Sequence, residues 1–514
     1  MKKKILAIAL SALSLLSVTL GGCGYKSKAP DYSDSKLQFD FYGYSSVIDH
    51  WNIDGTYFYP DEDYLTVDRM KEYKDAGMTI YFPQSAAAYN GSVPFAESTT
   101  KVAMDYALEA GLDKVILMDP RIQTLSKPSQ DKAVGLVGEG KQFATEEELD
   151  ATIASYLAPY KDHEAFYGVM LGDEPFYYHT ENYGQVYRSI KRVLPDCYIQ
   201  YNLNPITAGT GTNSTTGQRN IDVRFPALVE GDEGYGAAKD SQEELIARYR
   251  KYLRGFMDAT GAPYIQYDQY PFRSADRADE YYILGLQVVA ELAKEYDADF
   301  YFVTQTYGQK EGAYGNPRML SEADLYWLNN MLVGFGIKQI SYFTYFTKAD
   351  NTSEHFIDGN SFITWNGEKT DIYHWMKKIM AEEQKLAPTV LNFEYVTSKV
   401  YTKNPMTFAA GYAARTIATA DFKALKSVEI NKEVGLVTEL YDAGKGNYMY
   451  MVQNIVDPVY KGSKAFQTTV LTFDSQYKYA VKFVKGEREV IKLDKGNTLT
   501  LKHKPGDATY VIPF

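Results

Sequence analysis

Residues 166–205 read FYGVMLGDEPFYYHTENYGQVYRSIKRVLPDCYIQYNLNP. The run FYGVML (166–171) is short and wholly apolar, as a strand buried on both faces is, and it stops abruptly at Asp173, Glu174 and Pro175. YGQVYRSIKRVL (183–194) has helical period, and YIQYNLNP (198–205) is β-rich again. Strand, helix and a second strand of the same character predict a parallel pair joined by a crossover. Two adjacent carboxylates at the carboxyl end of a buried strand are costly to desolvate unless they are paired or do chemistry, so this junction is the first candidate site.

The alternation continues in both directions. Upstream lie LQFDFYGY (37–44), MTIYFP (78–83) and KVILMD (114–119); downstream lie YIQYDQYPF (264–272), FYFVTQTYG (300–308) and QISYFTYFT (339–347). Helical segments such as VDRMKEYKDAG (67–77), TTKVAMDYALEAG (99–111) and EELIARYRKYLRGFM (243–257) separate them. Several helices end in Ala-Gly or Thr-Gly, the left-handed stop that glycine permits. Eight such units predict an α/β fold, a (β/α)8 TIM barrel over 37–388. A doubly wound open sheet is the alternative, but the glycine-rich phosphate turn after its first strand is absent. From about residue 392 the period changes to short alternating runs, among them LVTELYD (436–442), NYMYMVQN (447–454) and TYVIPF (509–514). They predict a C-terminal all-β sandwich over 389–514, either packed on the barrel or holding it away from a membrane.

At 514 residues, 45% hydrophobic and 23% charged, the chain is an ordinary folded protein of more than one domain. The net charge of −12 offers no footprint for a phosphate backbone, so nucleic acid is excluded as a partner. Tyrosine is the outlier, at 46 against 25 Phe and 4 Trp. Rings that are apolar on the face and hydrogen-bonding at the tip suit grooves for polar, ring-shaped ligands, although many will pack sheet faces. MKKK, an apolar stretch over 5–20, and Leu20-Gly21-Gly22-Cys23 resemble a bacterial lipoprotein signal. That resemblance implies cleavage before Cys23, a lipid on its sulfur, and attachment to the membrane of the cell envelope, with residues 23–36 as a tether. Cys197 is the only other cysteine, and its apolar surroundings predict a buried, inert thiol.

In a barrel the carboxyl ends of all eight strands meet on one face. Those ends supply Asp119, Asp173, Glu174, Asn202, Asn204, Asp268, Tyr270, Gln305, Tyr307, Tyr342 and Tyr345. Carboxylates, amides and phenols without a histidine cluster suit a hydroxyl-rich substrate and proton transfer. With six His, none in an HExxH spacing, and no thiolate cluster, neither a metal nor another cofactor is expected. Tyr44, Trp51, Tyr177, Tyr270, Tyr307 and Tyr345 are candidates to stack on sugar faces, and Asn202, Asn204, Gln266, Gln305 and Arg273 to read hydroxyls. The excursion over 206–240 is too long for an ordinary connection and reads as a lid or a wall of the site.

The Gly-Asp-Glu-Pro at the end of the fourth strand, together with LYWLNNMLVGFGIKQISYFTYFT (325–347) in the last unit, resembles the clan A glycoside hydrolases, most nearly the barrel β-galactosidases. The resemblance spans 37–388 and implies that Glu174 is the general acid/base. It also implies a nucleophilic glutamate after the seventh strand, where this chain has Gln305, and an asparagine before the acid/base, where it has Asp173. Glycoside hydrolysis generally needs two carboxyl groups, and an amide cannot be one of them. Asp268, at the end of an apolar strand, is the best replacement as base or nucleophile, with Asp119, Asp173 and Glu311 behind it. Glu174 is then expected to hold its proton through burial and the adjacent Asp173. The competing structural readings are a helix cap for Glu174 and a loop-holding role for Asp268. Three functions follow: a cell-surface glycoside hydrolase, a non-catalytic glycan-binding lipoprotein, or another carbohydrate-active barrel enzyme such as a lyase.

Overall fold

The computed structural model of the chain describes residues 28–514 apart from 45, 48–51, 54–55, 58–63, 84–86, 275–276, 309–316, 347–359, 365–366, 402–414, 432–433 and 462–465. The expected signal, Cys23, Trp51 and Glu311 lie outside the described residues.

Eight parallel staves close a barrel. Seven are strands: Asp40–Gly43, Val115–Met118, Phe166–Asp173, Tyr198–Asn202, Tyr264–Asp268, Asp299–Gln305 and Gln339–Phe343. The second stave is extended backbone around Tyr81, joined to the first by the Thr79 and Ile80 N–H groups on the Phe41 carbonyl and to the third by a parallel bridge from Tyr81 to Val115. Parallel ladders run from the third stave to the fifth and from the sixth through the eighth back to the first. A bridge from Leu203 to Tyr267 closes the ring between the fifth and sixth. Gly168, in the middle of FYGVML, allows this spacing, because a Cβ there would lie 2.0 Å from the Tyr198 carbonyl oxygen. At the amino-terminal end of the barrel, Tyr167, Tyr198, Tyr264 and Tyr301 form a row of stacked rings with centroids 4.5–5.6 Å apart. Those four tyrosines floor the barrel.

A helix follows each stave: Val67–Asp75, Thr99–Glu109, Glu146–Leu157, Thr180–Val193, Gln242–Thr260, Tyr282–Glu295, Glu322–Gly334 and Asp371–Val390. Local sequence sets their ends. The side chains of Ser98, Thr145, Ser241 and Ser321 each accept a first-turn N–H, and Gly261 closes the fifth helix at a left-handed φ of 63°.

The sandwich pairs an antiparallel six-stranded sheet with a three-stranded one. In the strand Asn447–Asn454, Met449 and Met451 join the barrel's core while Tyr450 and Val452 join the core between the sheets, so the six-stranded sheet is buried on both faces. The sandwich therefore packs on the barrel rather than standing apart as a spacer. Arg318 rivets the seam with buried ion pairs to Asp324 (2.5 Å) and Asp457 (2.7 Å), and the Trp327 indole donates to the Ile455 carbonyl (3.1 Å). Residues 28–36, expected to be tether, instead lie on the sandwich. Tyr32 is buried there, donates to Asp442 (2.7 Å) and accepts from Asn447 (2.9 Å), contacts that a mobile linker would not make.

Candidate functional site

The fourth stave ends at Asp173, and Glu174 turns the chain at φ 41°, a left-handed conformation that costs a non-glycine residue about 1–2 kcal/mol. Its surroundings impose that turn. The Glu174 N–H donates to the Asn202 carbonyl (2.7 Å), Lys127 Nζ donates to the Asp173 carbonyl, and the Pro175 carbonyl accepts from both the Tyr252 hydroxyl (2.7 Å) and Asn204 Nδ2 (2.7 Å). Glu174 is thereby aimed over the barrel mouth, with its side chain 39% exposed.

Strand register brings the other residues to the same level. Asp173 pairs with Asn202 across the fourth and fifth staves, and Asn202 Nδ2 donates to Asp173 Oδ1 (2.9 Å). Leu203 bridges Tyr267, which sets Asn202 and Asp268 on neighbouring staves. Asp268 is deeper, 5% exposed, with Oδ1 unpartnered among the described residues. Burial first, then the charges of Glu174 and Asp173, raise its pKa well above the ordinary carboxylate range, while the Tyr270 hydroxyl and Asn202 amide favour its ionised form. Glu174 is also raised, by burial and then by Asp173, against the opposing pull of Arg224, Lys127 and Arg273. Both carboxyls therefore bind protons above the usual carboxylate range, and Asp268, the more deeply buried, feels the charge of Glu174 directly. Tyr44 completes the group. It is buried, accepts a hydrogen bond from Gln200 (2.5 Å), and its proton is held by burial and by the charges of Asp173 and Asp268.

The structure thus gathers Glu174, Asp173, Asp268, Asn202, Tyr270 and Tyr44 at one mouth. Other candidates are engaged elsewhere. Asp119 is fully buried, caps the helix Pro120–Ser126, and gives its oxygens to Arg121 (2.6–3.0 Å) and the Tyr160 hydroxyl (3.0 Å), so it holds a loop rather than a ligand. Gln305 is bound to backbone on every side. It accepts from the Phe272 N–H (3.1 Å) and donates to the carbonyls of Phe272 (3.1 Å) and Tyr307 (3.0 Å). Asn204 serves the Pro175 turn, accepting from Arg224 (3.0 Å). Tyr345 packs between Tyr73 and Phe362 behind the staves, and Tyr307 sets its ring edge-on to Phe343. Tyr177 lines a separate hollow with Pro226 and Arg254, and Gln266 lies inside the barrel against Tyr42. Arg273 is exposed, its Nε on the Tyr270 carbonyl (3.1 Å). Cys197 is buried, its thiol pushed up to about 12 by burial.

Two residues of the site were not foreseen. Lys127 caps the short helix Pro120–Ser126 after the third stave and Arg224 ends the short helix Asn220–Arg224 after the fifth, where no period marks a functional position. Arg224 belongs to the 206–240 excursion, which is a fixed wall. Buried Arg248 binds Asp222 (2.6 Å) and the carbonyls of Ile221, Phe225 and Pro226 (2.9–3.0 Å), riveting the helix Asn220–Arg224 beside the site.

No protein-family model matches the sequence, and no curated protein does. Among solved structures the chain is similar to a glycoside hydrolase family 5 protein from Bacteroides vulgatus, at 11% identity over 93% of this chain and 89% of that one with a TM-score of 0.47. It is also similar to a protein described as a glycoside hydrolase (9%, 92% and 92%, TM-score 0.48) and to an endo-beta-1,4-mannanase from Thermotoga petrophila (10%, 92% and 99%, TM-score 0.39).

Proposed function

We propose that the protein is a glycoside hydrolase whose working pair is Glu174 and Asp268. The observation that carries this reading is the meeting of three carboxyl groups, Glu174, Asp173 and Asp268, at the ends of neighbouring staves, where burial and mutual repulsion raise Glu174 and Asp268 above the ordinary carboxylate range. Glu174 is the proton donor, because no donor hydrogen-bonds its carboxylate among the described residues and its side chain reaches solvent. Asp268 is base or nucleophile, because Tyr270 and Asn202 favour its charged form. Protonation of Glu174 removes one of the charges that raise Asp268, leaving burial and Asp173 against the Tyr270 and Asn202 donors. Proton donation to the departing glycosidic oxygen and attack by Asp268, or by water that it activates, then follow from one arrangement. The leader ending at Cys23 supports a further part of the proposal, that a lipid anchors the enzyme at the outer face of the cell membrane.

The test is hydrolysis of oligosaccharides and aryl glycosides by wild type, Glu174→Gln and Asp268→Asn. We expect each variant to lose roughly 10²- to 10⁴-fold on unactivated glycans. Glu174→Gln should keep more activity where the leaving group needs no proton. Wild-type rates from folded Glu174→Gln would remove the acid assignment. The backbone-bound amide of Gln305 at the seventh stave favours a second reading, a glycan-binding protein without hydrolysis; a wild type that binds glycans and cuts none would establish it.

A further inference from the structure

We infer that the substrate carries an anionic substituent, a carboxylate or a sulfate ester, on the leaving-group side of the bond that is cut, and that Arg224 is the residue that reads it. This rests on the glycosidase reading above. Its starting point is a conflict: Arg224, Lys127 and Arg273 all pull Glu174 towards its charged form, which opposes the work of a proton donor. Three cations beside a general acid need a reason other than catalysis of the proton transfer.

Their arrangement supplies one. The site is electrically lopsided. The largest influences on Asp268 after burial are two carboxylates and two neutral donors, whereas Glu174 feels Asp173 and then three cations, of which Arg224 stands 3.9 Å away. A general acid lies against the oxygen of the departing group, so the cationic side is the leaving-group side. A mere counter-ion for the buried acids would hydrogen-bond Glu174 or lie against Asp268. Arg224 instead stands 3.9 Å from Glu174 Oε2, beyond hydrogen-bond length. It is held in place by other means: Nη1 on Asn204 Oδ1 (3.0 Å), the guanidinium 4.4 Å over the Phe176 ring, and a backbone riveted by Arg248. With its side chain 31% exposed, the planar fork still has N–H groups to offer, the geometry that carboxylates and sulfates accept.

The experiment measures binding and hydrolysis of matched glycans by wild type, Arg224→Gln and Arg224→Lys. Uronate-bearing oligosaccharides (oligogalacturonides, glucuronoxylan oligomers) are paired with their carboxyl-reduced forms, and sulfated oligosaccharides with their desulfated forms. We expect wild type to prefer the charged member of one pair by roughly tenfold to a hundredfold, as the loss of a charge-assisted hydrogen bond implies. Added salt should reduce the preference, Arg224→Lys should keep part of it, and Arg224→Gln should abolish it. Whichever pair responds names the anion. Arg273→Gln, on a different loop, should diminish the same ratio and serves if Arg224→Gln melts at a lower temperature. Equal handling of charged and uncharged members by wild type, or an undiminished preference in folded Arg224→Gln, overturns the inference while leaving the glycosidase reading intact. Failure to bind or cut any glycan overturns that reading and the inference with it.

Discussion

Glu174 holds a left-handed φ while its N–H, the preceding carbonyl and the following carbonyl are each tied to a different part of the mouth. Its proton affinity is the balance of burial and Asp173 against three cations, so single substitutions should move it in known directions. Asp173→Asn removes a repelling charge, and the alkaline limb of the pH–rate profile should shift to lower pH. Arg224→Gln removes an attracting one, and the limb should shift to higher pH; shifts of the same sign in both variants would contradict the balance. Gln305→Glu does not restore a nucleophile. It strips two N–H donors from the carbonyls of Phe272 and Tyr307 and sets a charge against them, so we expect a loss of about 2–4 kcal/mol in denaturant unfolding and no gain in rate. The strand-end placement of Glu174 and Asp268 was legible in the sequence because carboxylates at the ends of apolar runs stand out. Asp119 looked the same but is followed by Pro120 and Arg121, a helix start with its own counter-ion, and that local pattern outweighs the strand end.

The staves and helices were legible as elements because short apolar runs and 3.6-residue periods alternate without interruption. Among the described residues the second stave joins the backbone ladder through residues 79–81, short of a regular strand, although MTIYFP reads as strongly as its neighbours. The excursion over 206–240 was visible only as an anomaly of length, because what fixes it is a set of basic side chains on the helix after it: Arg248 under the helix Asn220–Arg224, Lys251 on Asp232, and Arg250 and Arg254 on Glu233. Arg248→Met should therefore free the helix Asn220–Arg224 while the barrel stays folded. We expect faster hydrogen exchange over 219–226 and a raised KM with little change in kcat, together with a stability loss of about 3–5 kcal/mol from the charges left unpaired. Exchange over 219–226 as slow as in the wild type would show that the wall is held by something else.

Barrel and sandwich were separable in the sequence by the change of period near residue 392, but their mutual burial was not, since both faces of the six-stranded sheet carry apolar residues and nothing in the pattern says what covers the second. The seam holds a half-open hollow of about 230 Å³ lined by Glu383, His503 and Tyr510, and the first two of these buried groups act in opposite senses. Burial lowers His503 from its ordinary 6.5 to about 4, so the unfolded chain binds the proton first and stability falls as pH drops from 6.5 towards 4. Burial raises Glu383 well above 4.5, so the unfolded chain releases the proton first and stability falls as pH climbs past 4.5. Thermal melts should show Glu383→Gln gaining on the wild type increasingly above about pH 5, and His503→Gln flattening the acid side of the curve; a constant offset across pH would refute either assignment. The stacked tyrosines at the amino-terminal end have a consequence for turnover. In the glycosidase proposed above the vessel would be blind on that side: what enters over the rim would back out the same way, a long polymer would lie across the opening instead of threading it, and each spent fragment would contend with the next arrival for a single doorway.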